Sequence, residues 1–120
     1  MITSLIQSFI QLLPLLIKSI SWDGDTLTIR GENWSLTTLS AWRISNKGSV
    51  EFACWDKEID ELLAALESLS IVEIRHQGSE VQVDPVFQLS DGRILEVFST
   101  DTVEPWILQH QNGDVFVGGR

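Results

Sequence analysis

Two stretches of this chain follow the same order of elements, and that repetition constrains the fold more than any other feature. The first runs from Trp34 through Ser40-Ala41-Trp42-Arg43-Ile44 to a turn at Asn46-Lys47-Gly48, then Val50-Glu51-Phe52. The second runs from Ile94-Leu95-Glu96-Val97-Phe98 to Trp106-Ile107-Leu108, a turn at Gln111-Asn112-Gly113, then Val115-Phe116-Val117. Both read as strand, polar link, Trp-led strand, Gly turn, strand. Upstream, Leu27 to Asn33 parallels Val86 to Gly92. A unit of that size has little core of its own, so two units must share one. The expected fold is α+β: internally duplicated helix-plus-antiparallel-meander units, forming a β-sandwich or barrel-like core with a pseudo-twofold axis. One domain spans 1–120, with repeat one at about 3–55 and repeat two at about 56–118.

Local patterns fill in the units. Leu5, Ile6, Phe9, Ile10, Leu12 and Leu13 have near-helical spacing, and Pro14 ends that helix. Asp23-Gly24 between two alternating runs predicts a tight hairpin, because Gly supplies the positive φ that such a turn needs. The stripe Ile59, Leu62, Leu63, Leu66 and Leu69 predicts a second helix with Asp56 as its cap and Glu58, Asp60 and Glu61 in its first turn. Strands resume at Ile71 to Arg75. Pro85 suits an edge strand or a bulge better than a central strand.

Charge narrows the partners. Seventeen acidic residues face eight basic ones, a net charge of -9. Such a surface repels nucleic acid and anionic lipid and favours encounter with a basic protein. The apolar start of the chain lacks a basic leader region and is interrupted by Gln7, Gln11 and Pro14. It therefore reads as neither signal peptide nor membrane span, and a cytoplasmic protein is expected. The stripe Ile6, Phe9, Ile10 and Leu13 is apolar enough to pack on a second copy as well as on its own sheet. Cys54 is the only cysteine and sits in an apolar run, where a thiol acts as a small hydrophobe.

The residues that carry chemistry elsewhere are present here without the contexts that chemistry needs. Asp23-Gly24-Asp25 opens like a calcium loop, but Leu27 and Trp34 occupy positions that require oxygen ligands. His76 and His110 lie on different strands with no second ligand at metal spacing. No phosphate loop or nucleophile elbow occurs. No enzyme, metal or cofactor is expected; a hydrolase using carboxylates or the two histidines is the least favoured reading. Among the five tryptophans, Trp42 and Trp106 occupy matching positions, which favours the core. Trp22, Trp34 and Trp55 remain as linings for a small-molecule pocket between two sheets.

The run Phe87-Gln88-Leu89-Ser90-Asp91-Gly92-Arg93-Ile94-Leu95-Glu96-Val97-Phe98-Ser99, followed by Glu104-Pro105-Trp106-Ile107-Leu108 and Gly113-Asp114-Val115-Phe116-Val117-Gly118, resembles a family of small uncharacterised bacterial domains. Their C-terminal halves read FSDGxxLEVFS, then EPWxL, then DG. The resemblance covers about a quarter of the chain and rests on strand and turn residues. Some members of that family are taken as immunity partners of bacterial toxins. The resemblance implies a non-enzymatic interaction protein that covers a basic toxin surface, with Asp91, Glu96, Asp101, Glu104 and Trp106 on one partner-binding face.

Overall fold

Turns set the strand boundaries. The computed structural model of the chain describes residues 7–76, 84–98, 106–111, 113 and 115–117. Its strands are β1 (Leu15–Leu16), β2 (Ser19–Trp22), β3 (Leu27–Arg30), β4 (Trp34–Thr38), β5 (Trp42–Asn46), β6 (Ser49–Ala53), β7 (Ser70–His76), β8 (Pro85–Leu89), β9 (Ile94–Val97), β10 (Trp106–His110) and β11 (Val115–Val117). A short helix, α1 (Asp60–Ala64), lies between β6 and β7, and residues 7–9 are also helical. The Asp23 carboxylate accepts hydrogen bonds from the backbone N–H groups of Asp25 (2.8 Å) and Thr26 (2.7 Å), closing the turn from β2 to β3. Lys47 (φ 52°) and Gly48 (φ 82°) form the two-residue loop of the β5–β6 hairpin, matching a turn with positive φ at both central positions.

The strands assemble into two antiparallel sheets, an arrangement compatible with a β-sandwich. One has the order β1-β7-β8-β9-β5-β6 and the other β11-β10-β4-β3-β2. Neither sheet is built from one continuous stretch of chain. The meander β2-β3-β4 is extended by the later hairpin β10-β11, and the meander β7-β8-β9 by the earlier hairpin β5-β6. The chain therefore changes sheet after β4. It does so through a buried corner where the Ser40 N–H donates to Thr38 Oγ1 (3.0 Å). The chain also changes sheet near the start of the described residues. There β1 pairs with β7, Ile17 N–H donates to Leu69 O (2.8 Å), and Lys18 N–H then donates to Arg30 O on β3 (2.8 Å).

Side-chain alternation sends one row of each sheet inward. In the first sheet a single rung reads Phe52, Ile44, Leu95, Phe87 and Ile74 across five strands. In the second it reads Phe116, Leu108, Leu36, Ile29 and Ile20. These rungs face a common core that includes Phe9 and Leu63 from the helical segments and Leu66 from the turn after α1. Trp42 and Trp106 begin their strands and are both fully buried, as their matching positions predict.

Four expectations change. The second helix is one short segment rather than the long one the Ile59–Leu69 stripe implied. Glu58 enters with φ 55° and Ser68 leaves with φ 77°, conformations that a helix cannot continue through. Asp56 does not cap it; its carboxylate instead accepts from the Ala53 N–H (2.8 Å), and Ile59 takes the cap position with no side-chain bond. Pro85 opens a strand flanked on both sides, which its place as first residue permits. The fold is also mainly β, with little helix. No helix among the described residues is long and apolar enough to cross a membrane.

Candidate functional site

The expected acidic face divides into parts. Asp101 and Glu104 lie outside the described residues. Trp106 is fully buried at the start of β10, so its indole belongs to the core and offers a partner nothing. Asp91 is exposed in the turn between β8 and β9, and Glu96 faces outward on β9, as strand alternation predicts. Neither is a free anion. Arg43 lies directly across from Glu96 on β5 and grips it with two bonds, Nε to Oε1 at 2.8 Å and Nη2 to Oε2 at 3.1 Å. Ser45 Oγ donates to the same Oε1 at 2.8 Å, and the guanidinium rests over the Phe98 ring at 5.0 Å. The Arg43 hydrogen bond holds the Glu96 carboxyl below its ordinary range, against a smaller opposing effect of burial. Glu96 in turn holds Arg43 above its own. Asp91 accepts from the Arg93 backbone (3.0 Å) and guanidinium (2.7 Å), and Arg93 also reaches Glu51 at 3.7 Å. Three carboxylates thus meet two arginines on this face, and most of its charge is cancelled locally.

Trp22, Trp34 and Trp55 do not line one pocket. Trp22 ends β2 and packs edge-on against Trp42 (ring centroids 5.4 Å apart). Trp34 lies at the opposite end of the same sheet, opposite His110, and its Nε1 donates to Leu16 O at 3.0 Å. Trp55 follows β6 and is 69% exposed. The cavity enclosed by the sheets, lined by Ile20, Ile29, Trp42, Leu63 and Leu95 among others, measures about 10 Å³. Small-molecule sites run to roughly 300 Å³ and more, so this space is a packing gap and not a ligand pocket.

His76 ends β7 in the first sheet, while His110 ends β10 in the second. The His110 ring meets Phe9 edge-on at 6.2 Å and borders a polar groove of about 200 Å³ with Lys18, Glu32, Asn33 and Trp34. Among the described residues no three His, Cys, Asp or Glu side chains gather as metal ligands.

Two surface features went unread in the sequence. The first is the segment after β6, where Trp55 stands in front of Asp56, Lys57, Glu58, Asp60 and Glu61. The sequence pattern alone places Trp55 in an interior pocket and the acids at a helix end. Two bonds fix the Trp55 turn at its base: Ala53 N–H to the Asp56 carboxylate (2.8 Å) and Asp56 N–H to Ala53 O (3.0 Å). The second is a groove of about 480 Å³ lined by Ile10, Leu13, Val72, Glu73 and Ile74. Phe9, from the stripe expected to serve a homodimer, is fully buried, Ile10 and Leu13 line this groove, and Ile6 lies outside the described residues. Comparison with protein-family models, with curated proteins and with solved structures finds no match for this chain.

Proposed function

We propose that this chain is a non-enzymatic interaction protein that binds a basic protein partner in the manner of a toxin-immunity protein. The observation that carries this reading is Trp55. A large aromatic side chain, 69% exposed, is held on a bonded turn beside four carboxylates and one lysine. Aromatic anchors supply most of the energy of protein interfaces, and a charged surround sets the partner's sign and speeds encounter. The net charge of -9 acts in the same direction. Asp91 and Glu96 contribute less, because Arg93 and Arg43 already neutralise them. A cytoplasmic setting goes with this proposal, since a lone cysteine requires no oxidising compartment.

The fold is part of the same proposal: two units of about 3–55 and 56–118 related by a pseudo-twofold axis. Matching β2 to β7, β3 to β8, β4 to β9, β5 to β10 and β6 to β11 turns the order of one five-strand array into that of the other. Under that matching the two inward rungs align residue by residue, Phe52 with Phe116 and Ile44 with Leu108 among them, and Trp42 aligns with Trp106. The helical segments correspond too. Leu12 N–H donates to Phe9 O at 2.9 Å, and Leu66 N–H to Leu63 O at 2.9 Å.

The test is capture on the immobilised chain from an extract of its source cells, followed by co-expression of what is captured. The expected result is a basic protein that is released as salt rises, that inhibits growth alone, and that is harmless when both are made. Trp55→Ala should weaken its binding at least about tenfold, and Glu58→Lys with Glu61→Lys should slow association. Binding untouched by both changes would overturn the assignment of this surface.

A further inference from the structure

We propose that two copies of this chain associate through the open edge of β7, pairing antiparallel about Ile74 so that Glu73 of each copy meets Arg75 of the other. This inference goes beyond the basic-partner reading and uses a different surface. β1 pairs with β7 only at Ser70 and Ile71, so among the described residues no strand flanks Val72 to His76 on that side. An edge of this kind presents backbone groups ready to pair with another chain. The groove of about 480 Å³ runs along it. Three consecutive residues, Val72, Glu73 and Ile74, line that groove together with Ile10 and Leu13, which places it beside the strand rather than over one face.

The chain's own duplication provides a control. On the unit correspondence proposed above, the counterparts of Ile10, Leu13 and Val72 are Ala64, Glu67 and Lys18. The fold thus accepts small or charged residues at these positions, yet here Ile10 is 62% exposed and Val72 40% exposed. Apolar side chains that folding does not require are accounted for by a surface that becomes covered.

Charge selects a second copy as the occupant. Charged residues on an edge usually prevent pairing. In an antiparallel pair centred on Ile74, however, Glu73 lies opposite Arg75 and Arg75 opposite Glu73, giving two ion pairs on one face. Within one chain the same two groups touch only loosely, at 3.6 Å. A register centred on Glu73 would set like charges together, so the sequence favours one alignment. The net charge of -9 per copy opposes association, but that repulsion is spread over the surface and screened beyond about 8 Å at physiological salt. The two-fold arrangement makes the contact self-complementary and closed.

Sedimentation equilibrium of the full chain at up to about 500 µM and about 0.15 M salt tests this. The expected result is a monomer–dimer equilibrium. Glu73→Arg should raise its dissociation constant about tenfold, because each copy's new arginine then faces Arg75. Adding Arg75→Glu to that variant should restore the dimer. Val72→Lys, which installs the residue of the corresponding position, should also weaken dimerisation while the melting temperature stays unchanged. A wild-type monomer across the whole range, or a double variant as monomeric as Glu73→Arg alone, would overturn the proposal.

Discussion

Trp34 lies across the turn into β4 because position 31 has no side chain. A Cβ built on Gly31 would overlap the Trp34 indole and come within 2.5 Å of the Leu16 carbonyl oxygen, which accepts the Trp34 Nε1–H bond. Gly31→Ala should therefore break that bond or shift the backbone, and we expect a loss of about 2–3 kcal/mol in urea unfolding. Gly24→Ala is the informative contrast. Its φ of +100° disfavours a side chain, but nothing lies within 4 Å, so the cost should be nearer 1 kcal/mol. Glu96 gives a prediction in pH. Its carboxyl is depressed in the folded state by Arg43 and Ser45, so the stability it contributes is present above the unfolded glutamate value and disappears as pH falls through the folded one. Glu96→Gln should cost about 1 kcal/mol at neutral pH, a figure reduced for the part-exposed Arg43, and the gap should close on acidification below the ordinary glutamate range. Equal gaps at neutral and acid pH would show that the ion pair contributes nothing. Alternation in β9 was enough to predict that Glu96 faces outward. It could not reveal Arg43, 53 residues away, because cross-strand partners are set by strand order and no local pattern encodes that.

Elements whose boundaries depend on turns were legible, and those that depend on packing were not. Asp23-Gly24 and Lys47-Gly48 form hairpins because backbone sterics at those positions are local. The helix after β6 shows the opposite. Its stripe of five apolar residues has helical spacing over more than two turns, yet only Asp60–Ala64 is helical. Ser68 turns the chain so that Leu69 reaches Ile17 and Ile71 reaches β1, and that tertiary demand ends the helix early. The stripe consequently divides: Ile59, Leu63 and Leu66 are buried, while Leu62 faces solvent. Leu63→Ala should cost about 2–4 kcal/mol through lost burial and the cavity left behind, whereas Leu62→Ala should stay within about 0.5 kcal/mol. Urea denaturation of the two variants separates these outcomes. Comparable losses would mean that the stripe packs as the longer helix would. The same logic explains why Trp55 was misread: its apolar neighbours suggest burial, and only the turn fixed by Asp56 lifts it clear of the core.

At the scale of the molecule, repetition in the sequence led to two sheets but not to how they are shared. Sequential strands usually neighbour one another, so the sequence order alone suggests sheets made of consecutive strands. In the structure the meander β2-β3-β4 is joined by the later hairpin β10-β11 and the meander β7-β8-β9 by the earlier hairpin β5-β6, so every sheet contains strands from both sides of residue 55. The inward rungs make the consequence physical. Phe52 and Ile44 come from the first part of the chain and Leu95, Phe87 and Ile74 from the second, yet they form one continuous row. A chain cut between 55 and 56 would leave β4 without β10 in one fragment and β9 without β5 in the other, each exposing half a core. Fragments 1–55 and 56–120 should therefore each lack stable structure alone and regain the β spectrum on equimolar mixing, with a rate that depends on both concentrations. Circular dichroism and stopped-flow mixing read this directly. Autonomous, cooperative folding of either fragment as a monomer would mean that its own strands suffice for a core. Regain of structure only on mixing would instead tie stability to the strands that each part of the chain supplies to the other's sheet.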